Sequence, residues 1–533
     1  MADLLFEHFI VLMLENRSFD HLFGYLGLGE GLPPEGGSNY RQPGNATSLR
    51  FDTRKGGDYT AIGQGPAHSV KETNVQLFGT GNPGASVKAS AATLDGFVAS
   101  FATSLQMDLK RAPTESELQQ VMNCFDPVQL PVLSTLARSF VLCDHWFADV
   151  PGPTMPNRAF VHAATSQGYT WNANWAPQFT CATLYDRINA KAGLSWRVYY
   201  HDKNDVLELY PNLAANATNH APFETSFLTD VTGDRLATYS FIVPAFIGSA
   251  SQPVNSMHAP ADVRPAEKLV ADVYSALRSN AAVWKKTLLI VVFDEHGGYY
   301  DHVPPPATVS PDGIAGRRDQ SFLVPFDFKR LGLRVPAILV SPWFEPAVDS
   351  TLYSHSSIPG SIIDALALPG GFLTQRDKAA VKLTQRYFVD DGSHVWRDTT
   401  PDVTVPAQPQ ALDAMQREVL AGSVNLDPHP ANRKAARTQD IQDPAQAKQF
   451  IRTQVAKQLE HRIASGGQPG LAARMRAPNQ PPAEAVSAAR IAELARSRRR
   501  SRSASKPAPK RAPSRAARRR AAKAPARRAR RRR

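Results

Sequence analysis

An apolar run that leads straight into a dense cluster of acids and imidazoles constrains this chain more than any other feature. The run, LLIVVF at residues 288–293, predicts a buried strand. The next nine residues contain two adjacent glycines and the side chains of Asp294, Glu295, His296, Asp301 and His302. Ligands of an open α/β sheet collect outside the carboxyl ends of strands, and glycines let the backbone turn and approach them. Acids and imidazoles packed this tightly shift one another's protonation unless a cation or substrate lies among them. The plain alternative is a polar surface loop.

Four further apolar runs also lead into polar residues. They lie at residues 9–14, 140–142, 239–243 and 335–340, and the polar residues that follow are Glu15, Asp144, His145, His258, Ser341 and His355. Continuous apolar strands separated by long connections predict a largely parallel sheet covered by helices on both faces. One helix is predicted over residues 266–280, where Leu269, Val270, Val273 and Leu277 follow the helical period. The stretch 26–125 has weak periodicity and much glycine and asparagine, which predicts an irregular insertion or cap.

The remaining organisation follows from composition. We place one large α/β domain at residues 1–425, a helical extension with a linker at 426–482, and a basic tail at 483–533. Within the extension, apolar residues at four-residue spacing are typical of an amphipathic helix over 443–464.

The net charge of the chain comes from its C-terminal end. The whole chain carries 61 Lys and Arg against 48 Asp and Glu, a net charge of +13, but residues 1–495 are net negative at −6. The last 38 residues hold 19 of the basic side chains and no acid. That composition cannot bury a core and predicts disorder. Such a tail binds polyanions, whether nucleic acid, polyphosphate or anionic lipid; a solubilising extension without a partner is the alternative.

Cysteine usage and hydropathy give expectations about the compartment. The three cysteines form no CxxC motif, so no disulfide framework is expected. No span of 18 or more apolar residues occurs, which predicts no transmembrane helix. Asp3 and Glu7 stand where a secretory signal would carry Lys or Arg. We therefore expect a cytoplasmic protein as the sequence is written, and a secreted or periplasmic one if the true start lies upstream.

Four polar segments occur in a fixed order along the chain. They are ENRSFDH at 15–21, DHWF at 144–147 with PGPTMPNR at 151–158, DEHGGYYDHV at 294–303, and SHSS at 354–357. Together they resemble the phosphoesterase family, which groups bacterial phospholipases C of the phosphatidylcholine-cleaving type with a class of acid phosphatases. The resemblance covers roughly residues 6–400. It implies an alkaline-phosphatase-like α/β fold, with a mostly parallel sheet between helices and the active site at the strand ends.

The resemblance also implies roles for individual residues. The residues expected to bind a divalent metal ion are Glu15, Asn16, Thr154, Asp294 and Glu295. Thr154 would be the nucleophile as well. The imidazoles expected to hold phosphate oxygens or protonate the leaving group are His68, His258, His296 and His355. Carboxylates with an amide oxygen form a hard, oxygen-rich site that suits Ca²⁺, Mg²⁺ or Mn²⁺, and the histidines could recruit Zn²⁺ or Fe instead.

The reaction expected from these residues is metal-dependent hydrolysis of phosphate esters by a phospholipase C-like phosphodiesterase, with phosphatidylcholine as a candidate substrate. A base or a metal ion activates a threonine hydroxyl, Thr154 attacks phosphorus, and water then cleaves a phosphothreonine. A sulfatase is not expected, because threonine has no route to the aldehyde that those enzymes form. Two alternatives stay open: a broad-specificity acid phosphatase, and a polyanion-binding protein with a vestigial site.

Two departures from the family pattern affect these expectations. Acid phosphatases of the family usually carry serine at the nucleophile position, so Thr154 is more similar to the phospholipase branch. Family members often show Asp-Glu-His where this chain has SMH at 256–258, which keeps the imidazole and loses two acids. Glu15 and Asn16 also have a plain alternative, which is to cap a helix beginning near Phe19.

Several aromatic and imidazole side chains have both a functional and a structural interpretation. Trp146, Tyr299 and Tyr300 form either a wall for a choline group, through cation–π attraction, or part of the core. Among the remaining histidines, structural roles are expected for His21 and His302, and either role for His145.

Overall fold

The fold was obtained as a computed structural model that describes residues 4–172, 179–248, 253–316, 324–390, 392 and 394–408, together with residues 441, 450 and 453. These residues all belong to one compact unit, Met1–Ala456. The linker, the basic tail and the helix expected over 443–464, apart from residues 450 and 453, lie outside the described residues. The expected domain boundaries therefore stay predictions.

The strands are named here in chain order. They are β1 (His8–Leu14), β2 (Ser38–Tyr40), β3 (Arg50–Asp52), β4 (Arg54–Lys55), β5 (Asn123–Cys124), β6 (Val141–Cys143), β7 (Trp146–Phe147), β8 (Trp196–Tyr200), β9 (His220–Pro222), β10 (Tyr239–Val243), β11 (Thr287–Phe293), β12 (Ala337–Val340), β13 (Ala347–Asp349) and β14 (Tyr353–Ser354).

Eight of these strands form one sheet, in the order β13-β6-β12-β11-β1-β10-β8-β9. β1 pairs in parallel with β10 and with β11, and further parallel pairs join β10 to β8, β8 to β9, and β13 to β6. Every residue of β11 is buried, so both faces of the sheet are covered. The predicted α/β architecture, a largely parallel sheet between helices, is confirmed.

One strand of the sheet runs against the others. β12 pairs antiparallel with both β11 and β6, so Ala337 lies opposite Val292 near the carboxyl end of β11. The residues just before β12, including Arg334, therefore reach that edge of the sheet, whereas Ser341 lies at the opposite edge. The sequence named Ser341 only as a residue that follows an apolar run, and such a run carries no signal for the direction of its strand.

The helices are also numbered in chain order. They are α1 (Phe19–Phe23), α2 (Val70–Phe78), α3 (Phe97–Leu109), α4 (Glu115–Leu118), α5 (Pro131–Ser139), α6 (Thr154–Ala163), α7 (Leu184–Asn189), α8 (Asp205–Leu209), α9 (Phe223–Thr232), α10 (Arg264–Arg278), α11 (Ala281–Trp284), α12 (Ser357–Ala365) and α13 (Gln375–Ala379). α10 packs on α5, α9 and α11, and α12 packs on α6, α7 and α13. The helix predicted over 266–280 is α10, and its four predicted apolar side chains are buried.

The stretch 26–125 is more ordered than the sequence predicted. α2 and α3 pack on each other and contribute to a separate apolar cluster that includes Leu77, Phe97 and Phe101. α2 gives little periodic signal because it buries the polar side chains Thr73 and Gln76 beside its apolar ones. The stretch is a cap with its own small core.

The sequence predicted neither a disulfide framework nor a transmembrane helix. Cys124, Cys143 and Cys181 are free thiols in the structure. Within the described ranges, no helix is both long and apolar enough to cross a membrane.

Candidate active site

The carboxyl ends of β1 and β11 lie side by side and carry the first candidate residues. Leu14 pairs in register with Phe293, so Glu15 and Asp294 are the first residues beyond each strand. The Asp294 N–H donates to the Leu14 carbonyl at 3.0 Å, and the Asn16 N–H donates to Oδ1 of Asp294 at 3.1 Å. Parallel pairing therefore joins the first and third polar segments of the sequence.

The backbones of Asn16 and Gly297 lie very close together where these two segments meet. Both have left-handed φ angles, +61° for Asn16 and +66° for Gly297. A Cβ atom on Gly297 would lie 2.1 Å from the carbonyl oxygen of Asn16, so only glycine fits there. The alternative that Glu15 or Asn16 caps the next helix is wrong, because Oγ of Ser18 accepts the hydrogen bond from the His21 N–H at the start of α1.

Five side-chain oxygen atoms at this edge are buried without a hydrogen-bond partner. They are both carboxylate oxygens of Glu15, Oδ1 of Asn16, Oδ2 of Asp294 and Oε1 of Glu295. Burial of an unpaired polar atom costs free energy, and carboxylate and amide oxygens are the ligands that hard divalent cations prefer. The four residues therefore fit a divalent metal ion.

The electrostatics of this cluster also favour a cation. Burial and then the charge of Asp294 raise the pKa of Glu15 to about 8, although Arg158 lowers it. Burial raises the pKa of Asp294 to about 6 against the opposing effect of Arg158. Burial and the Asp294 charge also raise the pKa of Glu295 well above its ordinary value. These shifts arise first from burial and, for Glu15 and Glu295, also from the charge of Asp294. A bound cation would favour the charged carboxylates.

Thr154 is the first residue of α6 and is buried. The loop before it is fixed by Asn157, whose side-chain amide donates to the carbonyls of Val150, Gly152 and Pro153 while its oxygen accepts from the Val150 N–H. Thr154 therefore lies at the positive end of a ten-residue helix, where a phosphoryl group is stabilised.

Arg158, one turn further along α6, connects the Thr154 helix to the carboxylates. Its buried guanidinium donates to Oδ2 of Asp205 at 2.9 Å and to the Met13 carbonyl at 3.1 Å. Its Nε lies 3.4 Å from Oδ2 of Asp294. Arg158 ends the segment 151–158, but the sequence predicted no role for it, and no motif marks Asp205.

His68 and His258 border the cluster, with ring centres 6.2 Å apart. Nε2 of His68 lies 3.1 Å from Nδ2 of Asn16 and 3.4 Å from Oε1 of Glu295. Nδ1 of each ring faces a nearby backbone carbonyl. Burial lowers the pKa of His68, and burial followed by the charge of His68 lowers that of His258 to about 4. Both rings are neutral at pH 7, and Nε2 is the nitrogen that faces no backbone carbonyl.

His296 and His355 are buried more deeply and bind protein groups. Nε2 of His296 lies 2.7 Å from Oε1 of Gln76 in α2. Nε2 of His355 lies 2.7 Å from the Asp294 carbonyl, and the Trp146 indole donates to Nδ1 of the same ring at 3.3 Å. Burial lowers the pKa of both imidazoles. These contacts support a role in positioning Asp294 and its neighbours, and a direct contact with phosphate stays a prediction.

The aromatic residues near the site belong to the core. Trp146 has no exposed surface, and Tyr299 and Tyr300 are buried. Tyr299 stacks on His21 with 3.8 Å between ring centres, and Tyr300 packs in the apolar cluster of the cap. These contacts favour the interpretation of the rings as core residues, the choline wall stays a prediction, and the structural role expected for His21 agrees with its stacking.

Asp301 and His302 belong to a different charge cluster from Asp294. The side chains of Asp20, Asp301 and His302 come close enough to hold a metal ion. The guanidinium of Arg334, however, lies 3.0 Å from Oδ1 of Asp20 and 2.9 Å from Oδ1 of Asp301. A cationic group therefore already lies among these buried acids, in agreement with the structural role expected for His302.

One family model and several known proteins match most of this chain. The Phosphoesterase family model matches residues 6–369. The chain is 34% identical to non-specific phospholipase C6 of Arabidopsis thaliana over 448 residues, which cover 78% of this chain and 80% of that protein. It is 28% identical to phospholipase C B of Mycobacterium tuberculosis over 434 residues, which cover 72% and 77% of the two chains.

Among solved structures, the chain is similar to a protein of the alkaline phosphatase superfamily from Vibrio parahaemolyticus. The two are 10% identical, and the overlap covers 45% of this chain and 60% of that chain with a TM-score of 0.30. So partial an overlap bears on neither substrate nor mechanism.

Replacement of Gly297 by alanine should damage the site directly. The new methyl group would collide with the Asn16 carbonyl, and the left-handed backbone adds about 1–2 kcal/mol. We expect Gly297→Ala to lower both the melting temperature and the hydrolysis rate, the rate by about tenfold or more. Gly313→Ala is the matched control, because Gly313 has a φ of +75° and open space around its Cβ position. Equal loss of activity in the two variants would contradict this account.

A divalent metal ion bound to these oxygens should stabilise the protein more strongly as the pH rises. The pKa of Glu15 is about 8 in the folded protein against 4.5 for the free group. Between these values the unfolded chain has released a proton that the metal-free fold retains, so stability falls as pH rises from about 4.5 to about 8. A bound cation removes this penalty. The melting temperature should therefore be lower with chelator than without it, and this difference should increase as the pH rises. In Glu15→Gln the difference should be smaller than in wild type. A gap that is constant or shrinks with pH would contradict the assignment.

Proposed function

Since the chain belongs to the phosphoesterase family and is therefore a hydrolase of phosphate esters, we propose that it is a metal-dependent, phospholipase C-like phosphodiesterase. The family and the enzyme class predicted from the sequence are confirmed. Diester preference, metal dependence and a covalent phosphothreonine at Thr154 are our proposals. The observation that carries them is the set of five buried, unpartnered oxygen atoms that Arg158 connects to the Thr154 helix.

Glu15, Asn16, Asp294 and Glu295 would hold the divalent metal ion, with Thr154 as the further ligand expected from the family. The ion would lower the pKa of the hydroxyl and neutralise charge on the phosphoryl oxygens. Oxygen ligands favour Ca²⁺, Mg²⁺ or Mn²⁺, and Zn²⁺ remains a candidate because His68 borders the site.

The protein groups supply orientation and proton transfer. The start of α6 directs peptide dipoles toward the phosphoryl group, and Arg158 keeps that helix against Asp294. Oγ1 of Thr154 attacks phosphorus, and the bond from phosphorus to the alcohol oxygen breaks. Water then displaces threonine and releases the phosphate product.

His68 and His258 fit the proton transfers better than the other two candidate imidazoles. Burial lowers the pKa of both rings, and Nδ1 of each faces a backbone carbonyl. Nε2 of His68 contacts the Asn16 amide and Glu295 at the proposed metal site. Each can accept a proton from the threonine hydroxyl or from water and return it to the leaving alcohol. His296 and His355 instead position the 294–296 segment through Gln76 and Trp146.

The names of the relatives support a phospholipid substrate. The proteins from Arabidopsis thaliana and Mycobacterium tuberculosis are both named phospholipases C. We propose a glycerophospholipid such as phosphatidylcholine, which would be cleaved to diacylglycerol and the phosphorylated head group. Because Trp146, Tyr299 and Tyr300 are buried, the proposal rests on recognition of the phosphodiester and leaves the head group open. Cytoplasmic localisation stays a proposal as well.

Replacement of the nucleophile tests the mechanism. We expect wild-type protein to hydrolyse bis-p-nitrophenyl phosphate faster than p-nitrophenyl phosphate, and chelator to abolish both activities. Thr154→Ala should lower kcat by on the order of 10³-fold or more, whereas Thr154→Ser keeps the hydroxyl and should retain measurable turnover. Phosphate transferred to the protein during turnover should be found on Thr154 in wild type and be absent from Thr154→Ala.

Other results of the same assay would support one of the alternative functions. Preference for the monoester would identify an acid phosphatase. Full activity of Thr154→Ala would exclude the phosphothreonine. Absence of turnover with either ester, or with phosphatidylcholine, across several metal ions and pH values would favour a polyanion-binding protein with a vestigial site.

The basic tail should bind polyanions independently of hydrolysis. Residues 496–533 lie outside the residues matched by the family model, and their 19 positive charges predict salt-sensitive, sequence-independent binding. Truncation after residue 480 should abolish retention on duplex DNA at low salt and leave kcat/KM for the diester unchanged. Equal DNA binding by the truncated and full-length proteins would exclude the tail as the binding element.

A further inference from the structure

Arg17 is a buried arginine beside the candidate metal ligands, and the proposed mechanism gives it no role. It follows Glu15 and Asn16 directly in the chain and is only 1% exposed. Its main-chain N–H donates to the Glu295 carbonyl at 3.0 Å, which fixes its backbone against the segment that follows β11. The long side chain then extends away from this point to the loop that follows β10.

The guanidinium of Arg17 holds the carbonyl of Met257 with two hydrogen bonds. Nε donates to this oxygen at 3.0 Å and Nη2 donates to it at 2.7 Å. The guanidinium also lies over the Tyr299 ring, with 4.6 Å between its central carbon and the ring centre. Because arginine is planar and carries several donors in a fixed fork, it fixes one oxygen more closely than a lysine ammonium would.

Met257 has a backbone conformation that needs such support. Its φ is +74°, in the left-handed region that residues other than glycine seldom adopt, and its side chain is fully buried. The preceding carbonyl is held as well, because the Glu15 N–H donates to the Ser256 carbonyl at 2.8 Å. Residues that follow β1 therefore bind two successive carbonyls of the loop after β10.

His258 comes directly after this strained residue and is only partly buried. The His258 N–H donates to Oγ of Ser256 at 3.3 Å, and Nδ1 faces the Ala259 carbonyl. The peptide group between Met257 and His258 sets the direction in which the imidazole leaves the backbone. Arg17 binds the oxygen of that same peptide group.

From these contacts we propose that Arg17 is a positioning residue for His258, which it keeps in the orientation needed for proton transfer. The inference rests on the proposed hydrolysis of phosphodiesters. As the Thr154 hydroxyl attacks phosphorus, Nε2 of His258 accepts the hydroxyl proton. The same proton passes to the alcohol oxygen when the bond between that oxygen and phosphorus breaks. A displacement of about 1 Å in such a reacting group costs as much as 10²-fold in rate.

The charge of Arg17 provides a rival explanation. Burial, the charge of His68 and the charge of Arg17 all lower the pKa of His258, so loss of Arg17 changes the electrostatics as well as the geometry. Arg17→Lys separates the two effects, because it keeps the positive charge and loses the two-donor fork.

Arg334→Lys is the matched control for the loss of a buried arginine. Arg334 has no exposed surface and lies over the Phe19 ring at 4.5 Å, as Arg17 lies over a tyrosine ring. It also donates to two backbone carbonyls, but these belong to Glu30 and Asp144. Its replacement therefore tests general destabilisation without removing the bonds to the Met257 carbonyl.

A double-mutant cycle on the full-length protein, supplied with divalent metal ion, tests the proposal. Hydrolysis of bis-p-nitrophenyl phosphate is measured for wild type, Arg17→Lys, His258→Ala and the double variant. Arg17→Lys alone should lower kcat by about tenfold or more with little change in KM. In the His258→Ala background it should change kcat by less than about twofold, because the group that it misplaces is absent. Arg334→Lys should lower kcat by the same factor in both backgrounds.

The other results separate this inference from the proposed function. Losses that multiply in the double variant, or full activity of Arg17→Lys, would overturn the role of Arg17. Full activity of His258→Ala would also overturn it and leave the phosphodiesterase proposal in place, whereas an inactive wild type would remove both. If Arg17→Lys does not fold, Tyr299→Leu removes the ring beneath the guanidinium. That variant should show a smaller loss of kcat, which should again disappear in the His258→Ala background.

Discussion

The parallel pairing of β1 with β11 is the constraint on which the site depends. It places Glu15 and Asp294 at equivalent positions beyond two adjacent strands, although they are far apart in sequence. The main chain then joins the two ends through the Asp294 carboxylate and the Asn16 N–H. Repulsion between buried carboxylates would separate these ends, so the strand pairing and the hydrophobic core around it hold the charges together. A cation bound among the carboxylates would offset that repulsion.

Buried arginines extend this arrangement outward from the sheet. Arg158 joins α6 to the Asp294 carboxylate and to the backbone of β1. Arg334 joins Asp20 to Asp301, and Arg376 binds Asp149, whose other carboxylate oxygen accepts the Ser356 N–H beside His355. Each guanidinium satisfies acceptors from several chain segments at once, which a planar group with five donors can do and a lysine cannot. The loops that bear the candidate catalytic residues are therefore positioned by ion pairs and hydrogen bonds as well as by packing.

Much of the fold and of the oxygen-rich site could be predicted from the sequence, because strand ends of a parallel sheet converge and because the 15–21 and 294–303 segments are specific. The direction of β12 could not be predicted, since an apolar run looks the same either way. The helices of the cap were missed because α2 buries polar side chains. Arg158 and Asp205 were missed because their function appears only when α6, β1 and α8 come together. The burial of Trp146 and Tyr299 depends on neighbours that no local pattern identifies.

The acids and histidines of residues 294–302 look like one site in the sequence and form two in the structure. The turn at Gly297 and Gly298, both left-handed, sends Asp294 and Glu295 toward β1, and Asp301 and His302 toward α1. The first pair meets Glu15 and Asn16, where five oxygens keep no partner. The second meets Arg334, which already pairs with two carboxylates. Arg334 thus bridges two acids of the second cluster, whereas Arg158 reaches only Asp294 in the first and leaves five oxygens there without a hydrogen-bond partner. This difference supports our proposal that the first cluster binds the metal ion of the active site, and it agrees with a structural role for the second.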